Sequence, residues 1–395
     1  MLPLFLIVFI DLLGFGIIIP LLPFYAEHFH ADPFTVGLLM ATYSLAQLIA
    51  APLWGSMSDR IGRRPVLLIT LGGAAASYIW LGFVDSLFAL FAARAVGGAM
   101  AGNISAAFAY MADITTKEDR AKGMGLIGAA FGLGFIAGPA IGGLLAGADP
   151  ATANYSLPAF AAAGLSLVSL LLAILILKES LSEEIRARIA ARPPEKRFRR
   201  LIETLKIPKL GFLVALSFVA TFVFAGMEAT FAMWSERTYQ WGPQQTGFLF
   251  AGVGIVSAVI QGGLIGRLAR RFGEEKLIIQ GAVALAIGMI LIPFSENLWI
   301  LALAMAILAY GFSTLSPSLN SLISLQVDEE SQGTVMGVTR SATTLARVVG
   351  PGWAGLMFAQ LGKDWPYFTG GMIMLFVAVL SIIVFISARA EKPSE

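Results

Sequence analysis

The sequence predicts an all-α membrane protein with twelve transmembrane helices arranged as two six-helix pseudo-repeats. Three observations carry that reading. The 395 residues are 57% hydrophobic and only 13% charged, whereas a soluble chain carries about 25% charged residues. The charges gather between apolar runs about 20 residues long, the length a helix needs to cross a bilayer core. The first six runs and the last six also repeat one another at a fixed offset.

The first set of spans lies near residues 2–25, 35–57, 65–84, 87–112, 121–146 and 155–177. The second lies near 209–235, 244–268, 275–294, 297–326, 332–361 and 365–388. Gly and Pro recur inside them, as membrane helices tolerate, and no ten-residue stretch alternates as a barrel strand would. The first run holds Asp11, Pro20 and Pro23 with no basic stretch before it, so it reads as a span and not as a cleaved leader.

Lys and Arg alternate between loops. They crowd the DRIGRR loop from Asp59, the loop with Lys117, Arg120 and Lys122, the 178–209 stretch, and the loop with Arg267, Arg270, Arg271 and Lys276. The intervening loops hold Glu27, His28, Asp32, Asp85, Asp149 and Glu296. By the positive-inside rule both termini are cytoplasmic. The chain then divides into a six-helix bundle over 1–178, a cytoplasmic linker over 179–208 and a second six-helix bundle over 209–395. The basic linker reads as an orienting, lipid-contacting segment and not as a nucleic-acid site.

The repeat is specific. MGLIGAAFGLGFIAGPAIGG from Met124 aligns with MGVTRSATTLARVVGPGWAG from Met336. This pairs Gly125 with Gly337, Gly138 with Gly350, Pro139 with Pro351 and Gly143 with Gly355, each 212 residues apart. GSMSDRIGRR from Gly55 pairs with GRLARRFGEE from Gly266 at 211 residues. Two parallel six-helix repeats put a binding site near mid-membrane, between the halves.

Several chemistries are excluded. There is no Cys, and His is limited to His28 and His30 in one loop. No metal-ligand spacing, hydrolase triad or Walker loop is present. The chain therefore reads as a non-enzyme without a cofactor.

Charge inside the spans is the sharpest functional signal, since ionisable groups at that depth are costly and functional by default. Asp11 and Glu228 are the carboxylates well inside spans, and Arg94, Arg340 and Arg347 are the cations. Arginine stays protonated at usable pH, so proton coupling falls to Asp11 and Glu228. Depth along the helices suggests Arg94 with Glu228 and Arg340 with Asp11. Phe15 and Ile18 share the face of Asp11, and Phe224, Phe231 and Trp234 flank Glu228. Gln47, Asn103, Gln261, Tyr310 and Asn320 add sparse polar groups. Such a wall suits a small amphipathic or lipophilic substrate.

Two further constellations concern movement. Gly55, Asp59, Arg60, Gly62, Arg63 and Arg64, with Asp113 on the same face, form a charge latch between neighbouring helices. In span five Gly125, Gly134, Gly138 and Gly142 let backbones approach closely, Gly143 continues the run, and Pro139 favours a kink.

These residues carry a family resemblance over the whole chain. Gly55-x3-Asp59-Arg60-x-Gly62-Arg63-Arg64 resembles the signature that follows span two in the major facilitator superfamily. Arg94-x2-Gly97-Gly98, running to Tyr110-Met-Ala-Asp113, resembles the fourth-span motif of its proton-coupled members. Gly125-x8-Gly134-x3-Gly138-Pro139-x2-Gly142-Gly143 resembles the fifth-span antiporter motif. Asp11-Leu-Leu-Gly14-Phe-Gly16, ending in Pro20-Leu-Leu-Pro23, resembles the first span of tetracycline-type drug:proton antiporters. One departure is that the ninth span, LIIQGAVALAIGMILIP, lacks the acid of tetracycline exporters. The resemblance implies the major facilitator fold and proton-coupled export by a monomer through alternating access. A lipid or lysolipid flippase and a proton-coupled nutrient symporter are the alternatives.

Overall fold

The computed structural model describes residues 1–116, 119–181, 207–327 and 329–390. The expected linker beyond Leu181, up to residue 206, Lys117 and the side chain of Asn103 lie outside the described residues. Among the described residues every regular element is a helix.

Helix α1, Leu2–His28, contains a 3₁₀ turn at Ile19–Leu21. Pro20 and Pro23 remove two backbone donors there and tighten the spiral. Helix α2, Pro33–Ile61, starts at Asp32, whose carboxylate accepts the Thr35 N–H at 2.8 Å. Proline at the first helical position suits that start. It stops at Gly62, where φ is +108°, and α3, Arg63–Gly82, begins at once. Helix α4, Leu87–Asp113, is broken at Ala101–Gly102. Helices α5, Arg120–Ala146, and α6, Ser156–Ile176, complete the first set. Pro139 does not interrupt α5, which runs on as one helix.

The second set comprises α7, Pro208–Tyr239; α8, Pro243–Phe272; α9, Glu274–Phe294; α10, Leu298–Ser324; α11, Glu329–Leu361; and α12, Trp365–Ala390. A π turn at Ile260–Leu264 interrupts α8. Eleven of these helices are long and apolar enough to cross a membrane. The exception is α11, 33 residues long, whose Thr and Ser residues and two arginines lower its hydropathy.

The repeat seen in sequence is also a repeat of conformation. Gly273 lies 211 residues after Gly62, and both hold extended backbone at positive φ, +108° and +79°. A side chain would strain either turn. The first helix of each set also crosses the fifth through glycine. A Cβ on Gly138 of α5 would lie 2.6 Å from backbone atoms of Gly16 in α1. A Cβ on Gly350 of α11, the repeat partner of Gly138, would collide with the Phe222 carbonyl of α7.

By contact the described residues up to Leu181 group with Phe231–Gly254 as one compact unit, and 207–230 with 255–390 as the other. The sequence places its boundary in the linker. The contacts carry the Phe231–Gly254 stretch into the first unit because glycine again permits close approach. Gly143 lies against Pro243 and Gln244, and Gly247 against the Pro139 carbonyl. The first unit holds an apolar core of Leu4, Ile7, Leu12, Val66, Leu67, Leu71, Met111 and Ile127.

Candidate functional site

The acidic residues expected to form a latch in the first unit converge on Arg63. Arg63 opens α3, and its side chain is only 8% exposed. Its Nη1 donates to Asp59 Oδ1 at 2.6 Å and to Ser58 Oγ at 2.9 Å, and its Nε to Asp113 Oδ2 at 3.2 Å. One guanidinium thus ties the end of α2 to the end of α4 through charge-assisted bonds. Arg64 turns away and donates to the Ile174 carbonyl of α6, and Arg60 is exposed. Gly55 sits near Ser105 of α4, 3.9 Å from an added Cβ. Ser58, Ser180 and Glu179 also join this network, though none stood out in the sequence.

Deeper in the same unit Asp11 is half-buried on α1, and Ser166 of α6 donates to its Oδ1 at 3.4 Å. Arg94 is 4% exposed. Its guanidinium lies 4.2 Å from the centroid of the Tyr43 ring, a cation–π contact that offsets part of its lost hydration. The Nε of Arg94 is buried with no hydrogen-bond partner among the described residues. Phe15 packs on Tyr43 and Phe135 at 5.1 and 6.0 Å between ring centroids, and Ile18 is fully buried. Gln47 donates to the Ala101 carbonyl and Trp54 to that of Ala99. These side chains satisfy carbonyls freed where α4 breaks. Phe231 and Trp234 are fully buried beside one another and Phe250, so in this conformation they are core and not cavity wall.

The fifth-span glycines divide by environment. Gly134, Gly138 and Gly142 press on α1 at Leu12, Gly16 and Ile17, whereas Gly125 faces open space. At the end of the unit opposite Arg63, Arg237 Nη2 donates to Glu27 Oε1 at 2.8 Å, beside a cavity of about 580 Å³ bordered by His28, Asp149, Tyr155 and Glu236. The sequence put Glu27 in an acidic loop and offered no signal for a partner 210 residues away.

In the second unit Glu228 is 11% exposed, and Arg347 Nη1 of α11 donates to its Oε2 at 3.3 Å. The carboxylate therefore takes its cation from its own unit. Arg340, two turns before Arg347, is exposed. Phe224 stacks on Phe312 with centroids 4.1 Å apart, and Gln261 donates to Ser313 at 3.3 Å. Tyr310 borders a groove of about 350 Å³ with Gln280 and Ile307, and Asn320 is exposed. The described residues hold no cluster of three or more His, Cys, Asp or Glu fit for a metal ion.

The sequence profile described as Major Facilitator Superfamily matches residues 4–351 and, again, 216–395. Tetracycline resistance protein, class C, of Escherichia coli is 33% identical over 96% of this chain and 94% of its own. Multidrug resistance protein 2 of Bacillus subtilis (strain 168) is 30% identical over 95% of this chain and 92% of its own. Among solved structures, the human organic anion transporter MFSD10 (TETRAN) superposes with a TM-score of 0.70 at 27% identity, covering 96% of this chain and 98% of that one. The nucleoside transporter NupG shares the fold with a TM-score of 0.79 at 14% identity, covering 97% and 98%. On whole-length matches of this kind, with a duplicated six-helix set and a charge latch after the second helix, the chain belongs to the Major Facilitator Superfamily.

Proposed function

We propose that this protein is a proton-coupled secondary exporter of small amphipathic or lipophilic molecules, working as a monomer by alternating access. It resides in the bacterial inner membrane with both termini cytoplasmic, in contact with lipid and not nucleic acid. The observation that carries the reading is the pair of carboxylates inside spans. Asp11 accepts a serine hydroxyl and Glu228 takes Arg347, in a chain whose relatives along nearly its full length are tetracycline and multidrug resistance proteins. Arginine stays charged at working pH, so the carboxylates carry the exchangeable protons. Ionised, they offer a site to a ligand; protonated, they withdraw it. That mutual exclusion is what antiport needs, and it asks for no cofactor and no covalent step.

Arg94 favours a second reading, a cargo with an anionic group. This cation is buried with one donor unmet among the described residues, and MFSD10 is an organic anion transporter. The deciding experiment loads the purified protein into liposomes, imposes an acid interior, and follows uptake of tetracycline, the cation ethidium and an anionic dye. Gradient-dependent accumulation of any one supports export by proton exchange. Equal movement with and without the gradient, for all three, overturns it.

A further inference from the structure

Glu179 stands at the head of the stretch that joins the two sets of helices in sequence. It is exposed, yet its carboxylate accepts four backbone N–H groups. Oε1 accepts the Arg63 N–H at 2.8 Å, and Oε2 the Arg64 N–H at 3.1 Å. The N–H groups of Ser180 and Leu181 also point to Oε1, both at 3.1 Å. The first two of these donors belong to the first turn of α3, which no intrahelical carbonyl can satisfy. That turn also carries two arginines and no acid, so cations crowd the positive end of the helix dipole. Glu179 supplies the missing negative charge from outside the helix.

The same short segment touches the other side of the latch. Ser180 Oγ donates at 3.0 Å to Asp113 Oδ2, the oxygen that also accepts Arg63 Nε. Tyr110 of α4 donates to the Lys178 carbonyl at 2.7 Å. Leu181 is buried and anchors the segment. Residues 178–181 therefore bridge the helix that bears the latch arginine and the helix that bears its aspartate.

We propose that Glu179 is the positioning residue of the latch: it holds the start of α3 where Arg63 reaches both Asp59 and Asp113, and so couples the inter-bundle linker to the latch. A pull on the linker that withdraws Glu179 uncaps α3 and loosens Arg63 without touching a membrane-buried residue. The inference rests on the transport reading only for its consequence in turnover.

The test uses the full-length protein in liposomes and the variants Glu179→Gln, Glu179→Ala, Arg63→Ala and the Glu179→Ala/Arg63→Ala double. Hydrogen exchange reads the latch without any cargo. Glu179→Ala, which removes an exposed side chain and leaves the core intact, should speed exchange about three- to tenfold at Arg63 and Arg64, the size expected for a lost cap. It should also speed exchange at residues 110–115, beyond its own contacts. Glu179→Gln, which keeps one acceptor oxygen, should do less. The double variant should be no faster at 110–115 than Arg63→Ala alone. If Arg63→Ala opens 110–115 and Glu179→Ala does not, or if the two effects multiply, the positioning role is overturned. Tetracycline exchange should slow in Glu179→Ala as in Arg63→Ala, with KM unchanged; a change in KM with normal turnover would also overturn it. Should the wild type move no tetracycline, the cargo reading fails while hydrogen exchange still decides this one.

Discussion

The glycines of the fifth span make opposite predictions within one motif. An added Cβ on Gly138 would lie 2.6 Å from the Cα and carbonyl carbon of Gly16 and 2.9 Å from the nitrogen of Ile17. All three are backbone atoms, so no side chain can swing aside. Carbon contacts settle at about 3.5–4.0 Å, which obliges α1 and α5 to part by roughly 1 Å along this crossing. Overpacking of that kind costs about 1–3 kcal/mol, and the better helix propensity of alanine returns at most about 1 kcal/mol. Gly138→Ala should therefore destabilise the protein. Gly134, whose Cβ would meet Leu12 at 3.0 Å or more, should cost less. Gly125 has nothing within 4 Å, so Gly125→Ala should be neutral or stabilising. Thermal unfolding of the purified variants in one detergent, followed by tryptophan fluorescence, gives the order. If Gly138→Ala melts with the wild type, or Gly125→Ala falls as far, the glycines are not there for helix approach and the packing argument fails.

Three further outcomes are expected. Asp11→Asn and Glu228→Gln should fold, and at least one should abolish accumulation driven by a pH gradient; if both singles and the double still concentrate tetracycline, these carboxylates do not couple protons. Arg63→Ala leaves Asp59 and Asp113 facing each other without their shared cation, so turnover should fall at unchanged apparent affinity; a large loss of affinity would place Arg63 in the substrate site. The Thr35 hydroxyl, and then its N–H, hold the Asp32 carboxyl below its ordinary value. A group depressed in this way stabilises the fold above its unfolded value of about 3.9 and loses that contribution as pH falls through the folded one. Asp32→Ala should therefore melt lower than the wild type at pH 7, and the gap should close in acid; a gap that persists at low pH would refute the cap.

What could be read from the sequence follows the range of the interactions. Helix positions and the repeat come from local periodicity and aligned glycines, and both reappear in the backbone at Gly62 and Gly273. The Arg63–Asp59 bridge spans four residues and is legible for the same reason. Asp113 is 50 residues away, and the sequence places it only on the same membrane face, without naming its partner. The pairing of Glu27 with Arg237, the stacking of Arg94 on Tyr43 and the burial of Phe231 and Trp234 depend on how helices rotate about their axes, which hydropathy alone does not report. The break in α4 at Ala101–Gly102 contains no proline. It is stabilised by Gln47 and Trp54 from another helix, so no local signal announces it.

The two loops of the repeat share a turn but not their charges. Both turn at a glycine of positive φ, and both hand the chain directly to a new helix. Their charges are reversed: Asp59 corresponds to Arg270, Arg63 to Glu274 and Arg64 to Glu275. In α9 two glutamates open the helix, where they meet the positive end of its dipole, each worth about 0.3–1 kcal/mol. Among the described residues Glu274 accepts the Ser321 hydroxyl at 3.3 Å. In α3 two arginines stand where acids belong, and the same term opposes them. That conflict is resolved by groups outside the helix, Asp59 from α2, Asp113 from α4 and Glu179 from the linker. A start that depends on three borrowed carboxylates becomes less stable as soon as one of them withdraws.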